Sequence, residues 1–234
     1  MRNRYWMWVG VRLLVGVALV AWAVSYLRSG GDEKEFQKAL DAMKKLQTFR
    51  ATSSGNLTAT RHADLLWEVD CKHSVVHFQS RLVESALNPP VEIDRDEVHV
   101  GNMEYERKQD GSWSSGDVGY QQRSAKQYCN ALAKGADTRL LPDVAAMIQH
   151  AVLQKGDTKT VNGVQCQEWT VTTKTATSDL EHNTICLGLE DHLPYESSTN
   201  QSRIYFLFSD FNAPLQIEMP EAAAKRVSAG DESH

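Results

Sequence analysis

The chain has 234 residues, 41% of them apolar and 24% charged, which is enough to fill one sizeable core and excludes a disordered chain. The first 30 residues contain four Arg and no acid, so the remainder holds 21 bases against 30 acids, about −9 by count. A body of that sign repels phosphate backbones, and no basic run interleaved with aromatics occurs, so nucleic acid is excluded as a partner.

Trp6 to Leu27 is apolar apart from Arg12 and Ser25 and carries Trp and Tyr near its ends. As a helix it spans roughly 33 Å, enough for a hydrocarbon layer of ~30 Å, provided Arg12 snorkels to the interface. Arg2 and Arg4 then hold residues 1–5 in the cytoplasm and send everything after Gly30 outward, where Asp32 and Glu33 are the next charges. The expectation is a single-pass inner-membrane protein with a periplasmic body. The competing reading is a cleaved signal peptide, with Leu13 to Val20 as its apolar region and Ala21-Trp22-Ala23 before the cut. Both export the body.

Asp32 to Gln47 reads as a helix whose stripe is Phe36, Ala39, Leu40, Met43 and Leu46. From Phe49 the texture turns to strands. Thr and Ala alternate at Asn56 to Thr60, and apolar residues alternate at Leu65-Trp67-Val69-Cys71 and Val76-Phe78-Ser80-Leu82. Asn88-Pro89-Pro90 interrupts the meander, Val91 to Val100 resumes it, and Gln109-Asp110-Gly111 turns between Met103–Lys108 and a short strand at Trp113.

A helical interlude is predicted next, first over Tyr120 to Lys134. The second helix opens at Leu141-Pro142-Asp143, carries Val144, Met147, Ile148, Ala151 and Val152 on its stripe, and is closed by Lys155-Gly156. Four more strands follow, at Val164–Thr173, Thr184–Leu189, Leu193–Thr199 and Arg203–Ser209. In the last, Ile204, Phe206 and Phe208 share one face while Tyr205 and Leu207 share the other, which calls for a second layer, a partner or a lumen. After Pro220 the tail reads as a frayed helix or a disordered end over 221–234. The fold class is α+β, an antiparallel sheet with helices gathered on one side.

Cys71, Cys129, Cys166 and Cys186 are even in number, widely spaced and without a C-x-x-C, consistent with export and two disulfides. Cys166–Cys186 with Cys71–Cys129 is the preferred pairing, because the first two lie in consecutive strand-like runs; four buried thiols are the alternative. Footprints of common catalysis are missing: there is no G-x-S-x-G, H-E-x-x-H, P-loop or G-x-G-x-x-G. His73 with His77, and Glu190-Asp191-His192, could bind a metal or move protons, but no third group stands at matching spacing and solvated turn residues are the simpler reading. No catalytic residue, metal or cofactor is therefore assigned. Asn56-Leu57-Thr58 and Asn200-Gln201-Ser202 match the glycosylation acceptor pattern, which matters only in a eukaryotic secretory route.

Four motifs follow one another from Leu141 to Pro220: LPDVAAMIQHA, VNGVQCQEWTV, TICLGLEDHLPYES and YFLFSDFNAPLQIEMP. Upstream, Asn102-Met103-Glu104-Tyr105 precedes Asp110-Gly111-Ser112-Trp113. In this order they resemble the LolA/LolB-like superfamily, in particular the branch typified by the LppX/LprG glycolipid-binding lipoproteins. The resemblance covers the body, residues 31–220, and implies a curved, unclosed antiparallel half-barrel with helices covering its mouth and an apolar lumen for acyl chains. The candidate lining is then Trp67, Val69, Phe78, Met147, Ile148, Val152, Trp169, Ile185, Leu187, Phe206 and Phe208, with the helix Pro142 to Gln154 as lid. It also implies a non-enzymatic carrier whose partners are the membrane and a lipid or lipidated protein, or alternatively a module that docks an envelope protein. One departure stands out: the acylated Cys that anchors those lipoproteins has no counterpart, since no Cys precedes Cys71.

Overall fold

The computed structural model describes residues 31–118, 124–134, 152–174, 180–199 and 205–229. The expected membrane segment at Trp6–Leu27 and the lid residues Met147 and Ile148 lie outside these residues. Among the described residues no helix is long and apolar enough to cross a membrane.

Eleven strands form one sheet: β1 (Thr48–Asn56), β2 (Arg61–Asp70), β3 (Val75–Glu84), β4 (Val91–Val100), β5 (Met103–Arg107), β6 (Trp113–Asp117), β7 (Val152–Val161), β8 (Val164–Lys174), β9 (Leu180–Gly188), β10 (Pro194–Thr199) and β11 (Tyr205–Ser209). The order is β6-β5-β4-β3-β2-β1-β11-β10-β9-β8-β7, with every neighbouring pair antiparallel. Two meanders, β1–β6 and β7–β11, therefore meet where the first strand pairs with the last, and β6 and β7 form the two edges of an unclosed sheet. Among the described residues three helices pack on it: α1 (31–43), α2 (Ala125–Lys134) and α3 (Glu221–Ser228).

Helix α1 forms where the stripe predicts, and Phe36, Ala39, Leu40, Met43 and, just beyond, Leu46 are all buried. It ends at 43, short of the predicted Gln47, because Thr48 already pairs with Asp70. Helix α2 is started by a capping box: the Ser124 hydroxyl accepts from the Gln127 amide at 3.2 Å, and the Gln127 side chain accepts from the Ser124 amide at 3.1 Å.

Two stretches differ from expectation. Residues 57–60, at the end of the predicted Asn56 to Thr60 strand, form the turn between β1 and β2, where Thr58 Oγ1 accepts from the Thr60 and Arg61 amides. Short hydroxyl side chains bonding their own backbone favour a turn over a ladder. The second is Val152 to Gly156, expected to end the lid helix. These residues belong to β7, with Val152 opposite Thr172, Leu153 opposite Val171 and a register shift between Lys155 and Thr158. The reason is Asn162-Gly163, which turns with φ of 50° and 82°, a two-residue hairpin that requires a strand on each side.

Both disulfides form as preferred, Cys71–Cys129 and Cys166–Cys186. The first ties α2 to the turn after β2. The second bridges β8 and β9 within a small cluster made with Val161 and Tyr195.

Candidate functional site

Strand alternation and register sort every side chain to one of two faces. On the inner face Phe49, Ala51, Val69, Val76, Trp169, Val171, Ile185, Leu187 and Phe208 form one cluster with the α1 stripe and with Ala125, Tyr128 and Leu132 of α2. Phe36 meets Trp169 edge-on at 5.2 Å between ring centroids, so this end of the face is filled by the protein's own side chains. Lys155 places its ammonium 5.4 Å from the Trp169 ring centroid at the rim.

Of the candidate lining, Val69, Trp169, Ile185, Leu187 and Phe208 are deeply buried in that cluster. Trp67, Phe78 and Phe206 share the same face but stay half-buried. Trp67 and Phe78 are register partners, with ring centroids 4.4 Å apart. The Trp67 indole N–H is buried and finds no hydrogen-bond partner among the described residues. Beyond this pair the face continues with half-buried Leu65 and Leu82 and with Ile93, which is 54% exposed; Leu82 pairs with Ile93. Val152 is on the other face at the start of β7, 71% exposed and away from the cluster.

The outer face carries its own core at the other end of the sheet, built from Val75, Val98, Val100 and Tyr105 and covered by Ala223 and Val227 of α3 and by Ile217 and Met219 of the segment leading to it. The tail, expected as a frayed helix or a disordered end, is helical over Glu221–Ser228, with Ala223 fully buried. That segment begins after β11 and crosses β1, where Thr48 donates its hydroxyl to the Ala213 carbonyl at 2.7 Å.

A row of alternating charges runs across the same face. Arg50 bridges Asp210 and Glu68, each at 2.6 Å; His77 bridges Glu68 at 2.8 Å and Asp96 at 2.9 Å; Arg107 lies 3.6 Å from Asp96 and 2.8 Å from Glu218. Burial opposes charge on His77, but its bonds to Glu68 and Asp96 outweigh that and hold its pKa above 6.5. The bond from His77 in turn holds the Glu68 carboxyl below 4.5. His73 is not part of this row: it sits exposed in the turn after β2 and bonds Asp70 at 2.7 Å, so the two His residues do not converge on one ion. Asp191 accepts from the Tyr195 hydroxyl at 2.7 Å and the Leu193 amide at 3.1 Å, which makes Glu190-Asp191-His192 a turn rather than a proton-transfer set. Burial, then the bond to Asp191, pushes the Tyr195 hydroxyl up to about 12.

An open groove of about 370 Å³ is lined chiefly by outer-face residues, among them Asp64, Leu66, Gln79, Arg81, Asp94 and Asp96, a charged lining that suits no acyl chain. The sequence reading missed a third feature, an ionisable cluster on the inner face of β4 and β5 made of Arg95, Glu97, His99 and Glu104. Burial, and then the charge of Glu97, holds the Glu104 carboxyl above its ordinary range. Glu97 and His99 alternate correctly for one face, but only the pairing of His99 with Glu104 completes the group.

No family model matches the chain, and no curated protein matches it in sequence. Solved structures do match. The chain is similar to the lipoprotein LppX of Mycobacterium tuberculosis at 15% identity and a TM-score of 0.53, over 81% of this chain and 99% of that one. It is similar to LprF of Mycobacterium bovis at 11% identity and a TM-score of 0.58, over 82% of this chain and 97% of that one. The fold is therefore that of LppX and LprF.

Proposed function

We propose that the chain is a non-enzymatic, membrane-tethered binding protein of the cell envelope that holds acyl chains of a lipid or lipidated protein on the inner face of its sheet. The observation that carries this is the run Trp67, Phe78, Leu65, Leu82 and Ile93, contiguous apolar side chains left half-buried or exposed beside a core that is otherwise packed. Surface of that kind marks a binding site when it is continuous and concave. The fold shared with LppX and LprF supports the reading, since the resemblance to this superfamily implies an apolar space for acyl chains.

Physics sets the scale. Each buried methylene contributes about 0.8 kcal/mol, so a sixteen-carbon chain offers at most roughly 12 kcal/mol, and no catalytic group is needed. The Trp67 indole N–H, lacking a partner among the described residues, would donate to a carboxyl or ester oxygen at the polar end of the chain. The deep cluster under α1 then acts as the floor of the site, and Trp67, Phe78 and Phe206 as its contact surface. The apolar segment Trp6–Leu27 would tether the site to the membrane from which cargo comes.

Native mass spectrometry of protein extracted gently from membranes tests this. The expected result is an added lipid mass that disappears in Leu82→Glu while the melting temperature stays within a few degrees. An apo mass under several mild extractions, or equal lipid occupancy in Leu82→Glu, would overturn it.

A further inference from the structure

Besides the apolar run, the inner face carries one group that neither core nor cargo explains. Glu97 and His99 are two apart on β4 and point the same way; Glu104 on β5 is the register partner of His99. The three ligand-capable atoms, one from each residue, lie within 4.8 Å of one another. Glu97 is 3% exposed and His99 is 9% exposed, so both stand where water hydrates them poorly.

His99 is the second, independent observation. Its Nε2 is buried without a hydrogen-bond partner among the described residues and faces Glu97 Oε2 at 3.8 Å, too far for a bond. An imidazole nitrogen facing a carboxylate beyond bonding distance is an unsatisfied arrangement, and buried polar groups are normally satisfied. Arg95 engages the other oxygen of Glu97, Oε1, through its Nε and stands 3.9 Å from Glu104.

We propose that Glu97, His99 and Glu104 form a binding site for a divalent transition-metal cation of the zinc class, with one imidazole nitrogen and two carboxylate oxygens as ligands. Such ions take nitrogen and oxygen donors at about 2.0–2.2 Å, so two ligand atoms on one ion stand at most about 4.4 Å apart. The observed cluster reaches that geometry by small rotations of the Glu side chains, without moving the strands that set its register. The mixed donor set favours zinc, cobalt or manganese over calcium, which takes oxygen alone. The three ligands bridge β4 and β5, so the ion would pin the outer strands of the first meander to each other. The site does not depend on acyl binding and stands or falls separately from it.

Cobalt(II) titrated into the chelator-stripped full-length chain, read by visible absorption and checked by zinc equilibrium dialysis, tests the site. The expected result is one equivalent bound, weakened about tenfold or more in His99→Gln and in Glu104→Gln and unchanged in His73→Ala. Thermal melts without metal establish that the variants fold; if His99→Gln does not, Glu104→Gln alone decides, because its carboxylate is only half-buried. A wild-type chain that takes up no cobalt or zinc, or a folded Glu104→Gln that binds as tightly as wild type, overturns the proposal.

Discussion

The two wings of the sheet solve the same burial problem on opposite sides. Along β8–β11 and β1–β2 the apolar residues point inward under α1 and α2, and the outward side chains include Arg50, Glu68, Glu168 and Glu196. By β4 and β5 the assignment has inverted: Val98, Val100 and Tyr105 point outward under α3, and Glu97, His99 and Glu104 point inward. Strand β3 is the crossover, with Val76 in one core and its neighbour Val75 in the other. A sheet with one helical layer per face need not keep one oily side throughout. Wherever a wing's inward side is freed from packing, it can carry binding chemistry, and both proposed sites lie on that freed stretch.

If the wings are separate cores, they should break separately. The largest effect belongs to the staple of the inner core, Cys71–Cys129, which closes a loop of 58 residues. Chain-entropy reasoning gives a loss on the order of 4 kcal/mol for Cys71→Ala with Cys129→Ala. Urea unfolding should place that loss on the inner cluster, with hydrogen exchange rising in α2 before β4 and β5. Uniform loss of protection across both wings would mean that they melt as one.

A matched pair sharpens this. Val69 in the inner core and Val98 in the outer are each 0% exposed, so each Val→Ala should cost about 2 kcal/mol. The double variant should lose the sum within about 0.5 kcal/mol, because the sites share no packing partner. A larger interaction energy, measured by the same urea melts, would show that β3 couples the cores.

The smallest effect concerns the charged row that ties the wings together across the outer face. A raised His77 pKa means that the protonated form is favoured by folding, so its contribution is full below the unfolded value near 6.5 and is lost as pH rises through the folded value. Glu68, held low, behaves oppositely: its contribution is present above 4.5 and is lost as pH falls through its folded pKa. Stability from this pair should therefore peak between those limits. His77→Gln should abolish the decline above pH 6.5, at a cost of about 1.5 kcal/mol at pH 5.5, the low end for hydrogen bonds to charged groups. Thermal melts across pH 4–9 would read it, and an unchanged profile in the variant would remove the row from the account.

Much of this architecture was legible in the chain, and the boundary of legibility is physical. Val91–Val100 could be bounded because two prolines precede it, and the α1 stripe because five apolar residues repeat at helical spacing. The disulfides followed from Cys166 and Cys186 lying in successive strands. Strand β7 was hidden because Lys155-Gly156 imitates a helix end; Asn162-Gly163, read as a turn that demands two strands, was the available signal. The inversion between wings was not legible, since which way Val98 points depends on the lengths of two turns rather than on its neighbours. For the same reason the triad of Glu97, His99 and Glu104 needed the β4–β5 register, whereas His73 and His77, close in sequence, looked like a pair and are not.

The seam between β1 and β11 has a consequence for how the molecule comes into being. Thr48–Asn56 must wait for Tyr205–Ser209, far later in the chain, before the middle of the sheet exists. Until then the earlier strands present an open, oily edge to whatever surrounds the nascent chain. Acquisition of shape is thus tied to the appearance of β11, and any truncation before residue 205 should leave an aggregation-prone remnant instead of a smaller working unit.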